Sequence, residues 1–246
     1  MTVPIYQGEI PYLTTEQMIE VDRVMIEDFG IELVQMMENA GRALAHLART
    51  RFLGGEPVDK RVTVVAGTGG NGGGALVCAR RLHNWGARVK VLITKPDKDF
   101  APVPAHQLHI LGHMHVEFDL PEIPIRGPNH DLIIDGVIGY SLKDAPSGMA
   151  GELIRWANDQ SSPILALDVP SGVDTTTGTV FNPSVAATAT MTLALPKEGL
   201  RAPGGEAHVG ELYLADISVP PSLYARPTLG MQVGHIFSRS DIVRLA

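Results

Sequence analysis

The sequence predicts an α/β protein, a three-layer α-β-α sandwich with a Rossmann-like, mostly parallel sheet and two helices ahead of it. Three observations carry this expectation. Seven short apolar runs, at 62–65, 89–94, 115–118, 131–135, 164–168, 189–195 and 211–217, mostly lack the alternation of half-exposed strands, as strands covered on both faces should. Helical stretches at about 75–85, 102–112 and 148–159 fall between several of them, the grammar of a sheet wound on both sides. The first of the seven runs leads into the glycine-rich turn Ala66-Gly67-Thr68-Gly69-Gly70-Asn71-Gly72-Gly73-Gly74, after which a helical pattern begins.

In chain order, residues 1–12 read as an irregular arm, lacking the basic and apolar regions of a secretion signal. Thr14-x-x-Gln17 is a capping box that opens a helix to about Asp28, with Met18, Val21 and Met25 inward, and Gly30 ends it. A second helix over 32–50 carries Leu33, Met36, Met37, Ala40, Leu44 and Leu47 at three- and four-residue spacing. Glu38, Asn39 and Gly41 interrupt it, most simply as a solvated face plus a glycine for close packing. Cys78 is the single cysteine, so an internal disulfide is excluded, and its helical setting makes it a core residue. Arg80-Arg81 is expected on the outer face of that helix. His106, His109, His113 and His115 crowd one segment; no acidic or cysteine ligand is regularly spaced with them, so a solvated face is favoured over zinc. Lys197 is as much a loop lysine as a residue of a crevice and receives no role. Residues 221–246 are expected to pack on the body or on a partner. The chain is expected to be one domain over 1–246, without linker or repeat.

Composition narrows the function classes. Twenty basic against 27 acidic residues give a net charge of −7, which argues against nucleic acid or an anionic membrane as the main partner. Hydrophobic content of 44% is that of a globular protein with a sizeable core. No apolar run approaches the ~20 residues of a membrane span, so a cytoplasmic location is the expectation.

The chemistry is expected at the carboxyl ends of the strands, where open parallel sheets place their ligands. A glycine loop between a strand and a helix lets backbone N–H groups approach a phosphate, aided by the helix dipole. The spacing Gly67-x-Gly69-x-x-Gly72 also matches the dinucleotide fingerprint, weakly, because so glycine-rich a stretch satisfies many patterns. A nicotinamide dehydrogenase is disfavoured, since the next strand ends Ile93-Thr94-Lys95 without the acidic residue that binds ribose. Asp135 and Asp168 each close an apolar strand, a costly place for a carboxylate unless it is paired, coordinated or working. Asn71, Asp135 and Ser171 offer only oxygen and amide groups, which suit alkali or alkaline-earth ions. The loop 140–148 is long and polar, as substrate-covering loops often are.

Leu13-Thr14 with Met18 and Asp22, Met37-Glu38-Asn39-Ala40-Gly41, the glycine loop, Asp131-Leu132-Ile133-Ile134-Asp135 with Gly139, Asp168-Val169-Pro170-Ser171-Gly172-Val173-Asp174 and Leu195-Pro196-Lys197-Glu198-Gly199-Leu200 follow one another in order. Through this set the chain resembles the YjeF N-terminal domain family from about Leu13 to Pro220. The resemblance implies an NAD(P)H-hydrate epimerase that interconverts the R and S forms of the C6-hydroxylated nicotinamide ring. It implies K+ held by Asn71, Asp135 and Ser171, and Asp168 as the catalytic carboxylate. It further implies substrate contacts from Gly70, Asn71, Gly72, Gly73 and Gly74, from Gly139, Tyr140, Ser141, Leu142, Lys143, Asp144 and Ala145, and from Asp168. A homodimer and a separate dehydratase as functional partner are also implied. The family loop usually reads Gly-x-Gly-Asn-Asn-Gly-Gly-Asp-Gly; here Gly70 replaces the first asparagine, Gly74 the aspartate and Ala75 the last glycine. An epimerase with a changed binding mode is therefore expected, the alternative being a nucleotide-binding or protein-interaction module.

Overall fold

The computed structural model describes residues 3–125 and 130–246. One nine-stranded sheet runs through it, built from β1 (Ile5–Tyr6), β2 (Arg61–Ala66), β3 (Arg88–Ile93), β4 (Glu117–Asp119), β5 (Leu132–Gly136), β6 (Ile164–Leu167), β7 (Ala189–Leu193), β8 (Glu211–Ala215) and β9 (Ile242–Leu245). The spatial order is β1-β9-β8-β7-β6-β5-β2-β3-β4, and every pair is parallel except β8 with β9. The helices are α1 (Thr15–Arg23), α2 (Leu33–Leu47), α3 (Gly70–Asn84), α4 (Pro102–His113), α5 (Gly148–Asn158), α6 (Pro203–Val209) and α7 (Pro221–Tyr224).

The strands form where β-branched and aliphatic residues run together, and the central ones are buried throughout, β5 and β6 at every position. Burial on both faces removes the alternation, as expected of a sheet covered by helices. Val64, Ile134 and Leu165 pack with α2 and α3 on one side, whereas Val65 and Ile133 meet Leu153 and Ile154 of α5 on the other. The chain winds β2→β3→β4 outward, then returns to pair β5 with the opposite edge of β2 and continues to β8. The β2/β5 seam is thus the topological switch point, and its carboxyl end is where such sheets open a crevice.

The helix leading the chain forms as its ends dictate. Thr14 Oγ1 accepts from the Gln17 backbone N–H at 3.2 Å, and Gln17 Oε1 accepts from the Thr14 N–H at 2.9 Å, a complete capping box. Both leading helices then widen into π-helical turns, Val24–Asp28 after α1 and Ala48–Phe52 after α2.

Four sequence expectations change. α3 begins at Gly70, so the residues read as loop through Gly74 form its first turns. Glycine is a poor helix former, but packing outweighs propensity here: a Cβ at Gly73 would stand 2.5 Å from Met37 Sδ, and one at Gly74 2.9 Å from Leu167 Cδ2. Arg80 does not lie on an outer face. Its guanidinium is half-buried against the Glu38 carboxylate, with contacts of 2.5 and 2.6 Å, and Arg81 reaches the same carboxylate at 3.6 Å. Glu38 is therefore part of a charged lock between α2 and α3 rather than a solvated face. The arm is not irregular throughout but contributes β1, which pairs with β9; the C-terminal extension packs on the body, as expected, and supplies β9. Cys78 is buried and His106, His109, His113 and His115 are exposed, as expected. Among the described residues no three His, Cys, Asp or Glu side chains gather as for a metal ion. No described helix is long and apolar enough to cross a membrane.

Candidate active site

At the switch point, β2 and β5 end side by side, Ala66 in register with Gly136. The Gly67 N–H donates to the Gly136 carbonyl at 3.0 Å, and a Cβ at Gly67 would lie 1.9 Å from the Val137 oxygen. Only glycine fits between two strand-end loops this close. The chain then turns into α3, whose first-turn N–H groups have no acceptor within the helix and form its positive pole.

Asp135 sits at the end of β5, buried, with three donors on its carboxylate. Ser171 Oγ donates to Oδ1 at 2.6 Å, the Val137 N–H to Oδ1 at 3.1 Å, and the Ser171 N–H to Oδ2 at 2.9 Å. Ser171 Oγ in turn accepts from the Ile138 N–H at 2.9 Å. Burial pushes the Asp135 carboxyl above the usual carboxylate range, against the pull of its hydrogen bonds to Ser171 and Val137. No described cation pairs with it. The Asn71 amide lies against the loop that follows β5, its Oδ1 3.3 Å from where a Cβ of Gly139 would be. Asn71 Nδ2 is buried without a partner among the described residues.

These facts bear on whether the trio fits a monovalent cation. A buried carboxylate without a counter-charge, a hydroxyl and an amide form a hard oxygen set, and turning the Asn71 amide by 180° replaces its orphaned nitrogen with a third oxygen. The residues fit. Asn71, Asp135 and Ser171 could hold an alkali cation: Ser171 is bonded to Asp135 directly, and the Asn71 backbone oxygen stands 3.3 Å from where a Cβ of the neighbouring Gly136 would be.

Asp168 follows β6 in the left-handed region, at φ 68°, a conformation that a non-glycine residue adopts at a cost and that marks functional sites. Its Oδ1 accepts from Lys197 Nζ and, more weakly, from the Leu193 N–H at 3.3 Å and Thr192 Oγ1 at 3.4 Å. Its Oδ2 takes no hydrogen bond from a described residue. Lys197 is completely buried and donates to the Leu193 carbonyl at 2.8 Å and to Thr192 at 3.2 Å as well. The segment before α1 aims it: the Leu13 N–H donates to the Pro196 carbonyl at 2.8 Å, and the Glu198 N–H to the Leu13 carbonyl at 2.9 Å. The lysine that received no role in the sequence is thus the partner of the strand-end aspartate. A carboxylate closing a buried strand signals that a partner is needed, but not which residue supplies it.

A cavity of about 330 Å³, within the range of small-molecule sites, opens over these groups. Gly70, Asn71, Gly74, Gly139, Tyr140, Ser141 and Asp168 line it, together with Met18, Asp22, Met36 and Met37 from the leading helices. Gly72, Gly73, Leu142, Lys143, Asp144 and Ala145 do not line it. Tyr140 folds inward so that its hydroxyl donates to Asp22 Oδ2. The arrangement offers one ion-paired carboxylate with a free oxygen, a helix N-terminus and an apolar wall, which suits proton transfer to a flat, partly apolar ligand carrying negative charge at one end.

The family described as YjeF-related protein N-terminus matches residues 33–199. The chain is 44% identical over 221 residues to a protein of Dehalogenimonas lykanthroporepellens named NAD(P)H-hydrate epimerase, covering 88% of this chain and 86% of that one. It is 34% identical over 230 residues to a Salinibacter ruber protein named bifunctional NAD(P)H-hydrate repair enzyme Nnr, covering 88% of this chain but only 42% of that longer protein. The crystal structure of yeast ynu0 superposes with a TM-score of 0.78 at 24% identity, over 96% of this chain and all of the yeast chain, and supports the fold.

Proposed function

Because the chain belongs to the YjeF-related protein N-terminus family, we propose that it interconverts the R and S forms of NADH or NADPH hydrated at C6 of the nicotinamide ring. The observation that carries the mechanism is the buried Asp168–Lys197 pair, with one carboxylate oxygen tied down and the other unengaged in a residue that lines the cavity. The hydrate is a carbinolamine, so its C6–O bond breaks as the ring nitrogen lone pair forms a C=N bond. In the form that carries a proton on its free oxygen, taken up from water in the cavity, Asp168 gives that proton to the departing oxygen, which leaves as water, and the Lys197 ammonium stabilises the carboxylate left behind. Water then adds to the opposite face of C6 and returns its proton to Asp168. The same carboxyl serves both directions.

Gly70 and Asn71, at the positive pole of α3, suit the dinucleotide phosphates, and Gly139, Tyr140 and Ser141 form the wall beside them. Potassium, held by Asn71, Asp135 and Ser171, would supply a fixed positive charge that joins the β2 and β5 loops. A dehydratase acting on one epimer is the functional partner this reaction calls for, and a second copy of the chain the expected subunit.

Mixing both epimers with a dehydratase that accepts only the S form, in potassium buffer, tests the reading. Adding this protein should speed the disappearance of the R form, and folded protein without that effect leaves a nucleotide-binding or interaction module. Asp168→Asn is the matching variant. Asparagine tolerates the left-handed backbone and still accepts from Lys197, but it leaves the buried ammonium without a counter-charge, so stability should fall by about 3–5 kcal/mol while turnover per folded molecule falls at least a hundredfold, on the order of a lost general acid–base. Turnover retained in Asp168→Asn would exclude this assignment.

A further inference from the structure

Two carboxyl groups line the cavity, and the mechanism uses one of them. The other is Asp22, on α1, reached by the Tyr140 hydroxyl. The two are built alike: each has one oxygen fixed by a donor, Lys197 for Asp168 and Tyr140 for Asp22, and a second oxygen without a partner among the described residues. Asp22 forms no ion pair with a described residue. Burial pushes its carboxyl above the usual range, the Tyr140 hydrogen bond and the Lys197 charge pull it back, and the Asp168 charge adds to the rise. Asp22, Tyr140 and Asp168 line the same cavity, and Lys197 is bonded to Asp168.

Tying the loop to α1 needs one acceptor, and a neutral side chain would provide it without the desolvation of a carboxyl. What a carboxyl adds is a second acceptor on a residue that lines the cavity. Asp22 and Asp168 are the two carboxylates among the residues that line the cavity. At Gly74, where the resemblance leads one to expect an aspartate, a Cβ would press on Leu167 Cδ2 at 2.9 Å, and the surface there is apolar.

We propose that Asp22 is a substrate-contacting residue, aimed by Tyr140, whose free oxygen accepts a hydrogen bond from the hydrated nicotinamide half of the ligand, from its C6 hydroxyl or its carboxamide N–H. The assignment rests on the epimerase reading for the ligand's chemistry and on the cavity for its place. Tyr140 is then a positioning residue, acting through Asp22.

Steady-state kinetics on the mixed NADPH hydrate epimers, with Asp22→Asn, Tyr140→Phe and the double variant, tests it. Asp22→Asn keeps the shape and the bond to Tyr140 but presents a donor to the cavity; KM should rise at least tenfold with melting temperature unchanged. Tyr140→Phe should raise KM severalfold with a smaller change in kcat, and the double variant should be no worse than Asp22→Asn, because Tyr140 has nothing left to position. Wild-type KM in Asp22→Asn, or losses that multiply in the double variant, would overturn the proposal. Should Asp22→Asn not fold, Tyr140→Phe decides alone, since it removes one hydroxyl: an unchanged KM overturns. Should the wild-type protein turn over neither epimer, the epimerase reading fails and Asp22 is read by calorimetric binding of the same hydrates. Affinity at least tenfold weaker in Asp22→Asn supports the contact, and equal affinity overturns it.

Discussion

Lys197 is a fully buried ammonium whose charge is matched by one carboxylate, so the pair must be broken as a unit or not at all. Lys197→Met replaces the stem and removes the charge, leaving Asp168 buried and unpaired. Breaking a buried pair from one side costs about 3–5 kcal/mol, and urea unfolding of Lys197→Met should show a loss of that order. A change under about 1 kcal/mol would mean the pair is far better hydrated than its burial indicates. Asp135 makes the complementary case, a buried carboxylate with donors but no cation from the described chain. Potassium at a hundred times its dissociation constant should stabilise the folded protein by about 2.7 kcal/mol, whereas a choline salt of equal ionic strength should not. Asp135→Asn should erase the difference between the two salts in thermal melts. The sequence showed both aspartates because a charge at the end of an apolar run stands out locally. It hid Lys197, whose partner is 29 residues away, and the Glu38 lock, whose arginine is 42 residues away. Nothing in the neighbourhood of either side chain records a neutralising partner at such separations.

At the scale of elements, the crossing of α2 over α3 sets where the cavity opens, because Met36, Met37 and Ala40 from one helix and Gly70, Asn71 and Gly74 from the other line it together. The approach is close: a Cβ at Gly41 would stand 2.4 Å from Val77 Cβ and 2.5 Å from the Gly74 oxygen. Gly41→Ala should therefore cost about 1–3 kcal/mol by overpacking. At Gly70 the nearest atom to an added Cβ is Met37 Cε at 4.0 Å, so Gly70→Ala should instead stabilise by about 0.4–1 kcal/mol through the unfolded chain. Opposite signs in denaturant midpoints check the contrast, and equal signs would refute it. Periodicity found α2, since Leu33, Met36, Met37, Ala40, Leu44 and Leu47 repeat at helical spacing, and the body of α3 was read from the helical pattern after the glycine turn. It could not find the start of α3 at Gly70, because glycine signals a loop and only the packing of Met37 and Leu167 makes it helical.

For the molecule as a whole, the site lies near the middle of a sheet whose far end is closed by the chain's last residues. β9 is a four-residue strand, Ile-Val-Arg-Leu, inserted between β8 and β1 and antiparallel to β8. Four residues with a charge among them carry no strand signal of their own, and their pairing comes from the neighbours that receive them. The same segment completes the cluster that supports α1: Leu223, Tyr224, Ile236 and Val243 pack with Met18, Val21, Val24 and Met25. Because α1 carries Asp22 to the cavity, the C-terminal residues support the site from a distance. Removing residues 221–246 would expose several side chains worth about 1.5–3 kcal/mol each when fully buried, a sum comparable with the 5–15 kcal/mol of net stability typical of a domain. It would also uncover the β8 edge, an invitation to intermolecular pairing. The truncated chain should lose its cooperative thermal transition or aggregate, and added potassium should not restore it, since the proposed ion site lies at the β2/β5 seam and replaces none of the buried area. A truncated chain that melts like the full protein would show that α1 is held by α2 and the sheet alone.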